Sequence, residues 1–124
     1  YKVLNLMAQL SLTKFKQLVS DAINNLPDNS KKYLENIQII VDLSPTEEQL
    51  LGTGLENKLD LLSLYEGIHS SERYGYEDIL PDKITIFQES LESLTTIESD
   101  LVKEIQLTIN AEISQNIRSS QDLS

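Results

Sequence analysis

A chain of 124 residues is the size of one domain, long enough to bury roughly two thirds of the surface its unfolded form exposes. With 20 acidic against 10 basic side chains the formal charge is -10, which repels phosphate backbones and anionic bilayers and argues against nucleic acid or a membrane surface as partner. The lack of cysteine excludes disulfides and thiolate metal sites.

Residues 1–10 are moderately apolar but broken by Lys2, Asn5 and Gln9, and are set apart as an N-terminal extension or added remnant. Residues 11–124 form a single expected domain. No apolar run approaches the roughly 20 residues a membrane helix requires, so a soluble chain is expected, with the cytoplasm as default compartment. Leu12, Phe15, Leu18, Val19, Ala22, Ile23 and Leu26 recur at three- and four-residue steps, which predicts a helix with one buried face, capped by Ser11 or Thr13 and ended by Pro27. A short second helix follows over residues 28–34. The β-branched run at residues 37–41 is too short for a helix of its own and favours a strand.

Ser44 as cap, Pro45 at the first helical position and the acids Glu47 and Glu48 spell another helix start, stopped by Gly52 and Gly54. Those glycines lack the surroundings of a phosphate loop and are assigned to turns. Residues 61–65 read as a second strand, 67–78 as a polar loop, 83–87 as a third strand, 88–94 as a short helix and 97–118 as a long one. The long helix carries Ile97, Leu101, Ile105, Ile109, Ile113 and Ile117. At about 100° per residue, a four-residue step overshoots a full turn by about 40°, so this ladder winds and requires cover on several sides. The fold class is therefore α+β: a sheet of three to four strands against helices, with a long C-terminal helix.

That helix also carries Glu112, between Ala111 and Gln115. A zinc metallopeptidase helix needs histidines at those two flanking places, so that both imidazoles reach one metal while the glutamate activates water. Glu112 directly precedes the ladder's Ile113, at the edge of the core or in solvent.

Three further stretches carry a resemblance: LYEG at residues 64–67, ERYGY at residues 72–76 and LPDKITIF at residues 80–87, in that order and followed by Thr108, Ile109, Glu112 and Ile113. Together with the helix from Phe15 to Pro27 and the strand at residues 37–41, they make the chain similar, over roughly residues 11–122, to the small bacterial zincin-like metallopeptidases. That family is a minimal metallopeptidase domain, formerly one of unknown function. The resemblance implies that the last helix corresponds to the active-site helix, with the HExxH positions falling on residues 111–115. Zinc is the cofactor expected of the family, but Ala111 and Gln115 stand where its histidines belong, and Arg118 replaces a glycine. A further acidic ligand would fall at Gln121 or Asp122. The expected metal ligands are none, and Glu112 keeps a vestigial general-base position.

The resemblance thus implies a catalytically degenerate protein, a pseudoenzyme without cofactor. Its cleft, between the last helix and the strand at residues 83–87, would hold a peptide or protein segment, with Glu66, Arg73, Tyr76, Ala111 and Gln115 as vestigial lining. Glu66 and Arg73 read first as structural ion-pairing residues. The sole histidine, His69, makes at most a weak zinc site with nearby acids. The alternative is a zinc-dependent metallopeptidase or metallohydrolase with an unconventional site using Glu112. The balance leans against catalysis, because a carboxylate without a cation cannot polarise the scissile carbonyl. Oligomeric state is left open.

Overall fold

A computed structural model describes residues 10–67 and 81–118. Its elements are α1 (Leu12–Asn24), α2 (Asp28–Tyr33), β1 (Ile37–Asp42), α3 (Glu47–Leu51), a 3-10 turn (Lys58–Asp60), β2 (Ser63–Glu66), β3 (Asp82–Phe87), α4 (Gln88–Glu92) and α5 (Glu98–Glu112). A π-helical turn, Ile113–Arg118, continues α5. The architecture is α+β, with five α-helices and a three-stranded mixed sheet among the described residues.

Local sequence accounts for most of these boundaries. Ser11 accepts a hydrogen bond from the Lys14 backbone N–H and caps α1. The expected cap of α3 is corrected: Thr46, not Ser44, accepts from Gln49 N–H while the Gln49 side chain accepts from Thr46 N–H. This reciprocal box satisfies two donors at once, and it moves Pro45 out of the helix into the buried entry to it. Past α3, Gly54 takes φ 78°, the left-handed conformation that L side chains resist.

The strands lie in the order β1-β3-β2, with β1 parallel and β2 antiparallel to β3. This corrects the expectation that residues 83–87 border an open groove. With a ladder on each side, β3 has no free edge to which a peptide strand could add. Ile84 and Ile86 face the main core, while Thr85 and Phe87, pointing the other way by strand alternation, are buried too.

The core joins Phe15, Leu18, Val19 and Ala22 of α1 to Ile84 and Ile86 of β3 and Leu91 of α4, together with Leu101, Ile105, Ile109, Ile113 and Ile117. Ile97 is the ladder's exception, 55% exposed at the cap of α5. The other five stay in one core although an α-helical four-residue step drifts. The π turn supplies a reason: its wider i→i+5 winding advances each residue by less than 100°, so the step from Ile113 to Ile117 turns the stripe back. Helix and turn together touch α1, α2, α4 and β2, the cover on several sides that the ladder requires. Leu10, assigned to the extension, accepts a hydrogen bond from Gln88 at 2.7 Å and packs on the core.

Candidate functional site around Glu112

Glu112 is the last residue of α5 and is half-buried. Its position follows from the ladder: Ile109 and Ile113 sink into the core and leave the intervening Glu112 on the flank that faces β2. The β2–β3 register pairs Ser63 with Ile86 and Tyr65 with Ile84, so both β2 side chains share the helix-covered face. Ser63 is thereby aimed at the end of α5, where its hydroxyl donates to Glu112 Oε2. The other carboxylate oxygen, Oε1, accepts from Asn116 Nδ2 at 2.7 Å, and the same amide reaches the Glu112 carbonyl at 3.3 Å. Each carboxylate oxygen thus has a neutral donor.

Ala111 and Gln115 are both exposed. The first has no side-chain donor or acceptor and the second ends in a neutral amide. Gln115 lies within the π turn, so the flanking positions are no longer separated by one ordinary α-helical turn. Among the described residues no group of three or more His, Cys, Asp or Glu side chains could hold a metal ion.

Glu66 stands elsewhere. It is exposed, its Oε1 lies 3.7 Å from Lys83 Nζ directly across the ladder, and alternation puts it on the sheet face opposite to Ser63. Arg73, Tyr76 and His69, like the loop expected to carry them, lie outside the described residues, as do Gln121 and Asp122. At the far end of β2, the Tyr65 hydroxyl donates to Asp82. Gly67 lies against both, and a Cβ there would come within 3.4 Å of the Tyr65 ring and 3.5 Å of Asp82 Oδ2.

Two residues at this site were not anticipated. Asn116 follows Glu112 by four positions, a spacing at which helical side chains meet, so the pair was legible in principle. Ser63 is 49 positions away, and no local pattern reveals which strand residue an α-helix end will meet.

A groove of about 490 Å³ between α1 and β1, lined by Lys16, Val19, Ile23, Ile39 and Val41 among others, does not include Glu112. No described helix is long and apolar enough to cross a membrane. In sequence comparison, the family model described as zincin-like metallopeptidase matches residues 34–122. No individual curated protein matches the chain.

Proposed function

Because the chain belongs to the zincin-like metallopeptidase family, we propose that it is a metal-free member that binds an extended peptide or protein segment without cleaving it. The observation that carries this reading is the donor set at the end of α5. Ala111 offers no ligand atom, Gln115 offers a neutral amide, and both carboxylate oxygens of Glu112 are engaged by Ser63 and Asn116. Zinc sites are built from imidazole, thiolate and carboxylate ligands that reach one point, and this set does not fit. Glu112 in this role is a strut between helix and strand. Without a cation it has no means of activating water against an amide.

The binding edge is β2. It pairs with β3 and runs beside the end of α5. Strand addition supplies main-chain hydrogen bonds whatever the peptide's sequence, with alternate side chains read by the neighbouring surface. The second reading, a zinc hydrolase with an unconventional site, rests on family membership. It would need ligands from beyond the described residues, where His69 lies.

The test is to select ligands for the whole chain from an immobilised random-peptide array and map them by amide chemical shifts. The reading expects shifts at residues 63–66 and at 108–116, with the peptide recovered intact. Recovery of cleaved peptide, or shifts that avoid β2, would contradict it.

A further inference from the structure

A second buried polar cluster lies along α4. Gln88 and Glu92 are 2% and 6% exposed, respectively. Gln88 Nε2 donates to the Leu10 carbonyl at 2.7 Å and to Glu92 Oε2 at 3.2 Å. The Leu10 backbone also hydrogen-bonds the Glu92 carboxyl. Both main-chain groups of Leu10 are therefore held by two side chains one helical turn apart. One atom does not fit this arrangement if Glu92 is ionised: Gln88 Oε1 is buried with no hydrogen-bond partner among the described residues.

An ionised carboxylate accepts hydrogen bonds and donates none, so it leaves that oxygen stranded. A protonated carboxyl has an O–H to give. Acid and side-chain amide can then close a ring of two hydrogen bonds, Gln88 Nε2 to Glu92 and the Glu92 O–H to Gln88 Oε1. We propose that Glu92 is held as a neutral carboxylic acid paired with the Gln88 amide, and that this pair fastens Leu10, the residue leading into α1, to the start of α4.

Electrostatics agree with the geometry. Burial pushes the Glu92 carboxyl above its ordinary value, against the hydrogen bonds from Gln88 and Leu10, and the Glu89 carboxylate one turn back adds repulsion. The elements packed against α4 bring Lys58 and Asp60 on the 3-10 turn, both exposed, and Glu98, Asp100, Lys103 and Glu104 on α5. Of these, Glu98 is paired with Lys14 of α1 at 3.2 Å. Because the native pKa lies above the unfolded one, the folded state binds the extra proton. The fastening is complete below the ordinary carboxylate range and weakens as pH rises through the native value.

The experiment is carried out on the whole chain by NMR, following the Glu92 side-chain carboxyl carbon and the hydrogen exchange of the Leu10 amide across pH. Glu92 should titrate above the ordinary value of about 4.3. Leu10 protection, corrected for intrinsic exchange, should fall by up to about tenfold per pH unit between that value and the Glu92 midpoint, then level off. Glu92→Gln, which keeps a neutral amide partner for Gln88, should retain protection and lose the pH dependence. An ordinary Glu92 midpoint, or Leu10 protection that is flat with pH in the unsubstituted chain, would overturn the proposal whether or not the variant folds.

Discussion

Ser63 and Glu112 show how a single contact changes what a residue does. A glutamate on a surface helix is ordinarily solvated, yet here two neutral donors hold it, one of them the first residue of β2. Hydrogen bonds to charged groups contribute more than neutral ones, and leaving the acceptor half-buried without its donor has a cost of its own. Ser63→Ala should therefore destabilise the chain by on the order of 1 kcal/mol in urea denaturation. Glu112→Gln should cost less than about 1 kcal/mol, since the amide oxygen still accepts from one donor. A Ser63→Ala variant as stable as the parent would show that the contact contributes nothing to the fold. The place of Glu112 beside Ile113 was readable, though it left the side chain between the edge of the core and solvent. Its meeting with Ser63 was not, because it depends on a register set by β3 rather than by anything near either residue.

Among the elements, the strongest periodic signals agree with the structure. The α1 face of Phe15, Leu18, Val19 and Ala22 is buried as its spacing implies, and Ser11 caps it. The strands are found within one or two residues of their expected places. Two features departed from the reading for identifiable reasons. Thr46 caps α3 through its reciprocal box with Gln49, although Ser44 stands at the same three-residue spacing from Glu47, so spacing alone did not choose between them. The π turn was invisible because an unbroken four-residue ladder reads as a drifting α-helix until the partner surfaces are known. Strand order was equally hidden: nothing in residues 83–87 announces a central strand except that both faces carry buried residues.

The ladder's energetic role can be measured directly. Ile105 and Ile109 are fully buried at the middle of α5, and replacing either by alanine removes apolar contacts and leaves a cavity. Each substitution should cost on the order of 2 to 5 kcal/mol in equilibrium denaturation. Losses below about 0.5 kcal/mol at both positions would mean that α5 does not pack as described.

For the molecule as a whole, core packing must hold the fold. The chain carries a formal charge of -10, which favours expansion through self-repulsion, and it has no disulfide to offset it. In the metal-free reading no bound cation offsets it either, because a structural metal contributes its binding free energy to folding. The family frame was recognisable from three short stretches of sequence and agrees with the match over residues 34–122. Ala111 and Gln115 on either side of Glu112 were plain in the sequence, whereas the strand neighbouring Glu112 emerged from the fold.

The most direct measurement is the metal content of the whole chain, purified without chelator and read by inductively coupled plasma mass spectrometry. A metal-free member predicts zinc well below about a tenth of an ion per chain, with thermal stability unchanged on adding zinc or chelator. About one tightly held zinc per chain, with stability lost on chelation, would contradict the account.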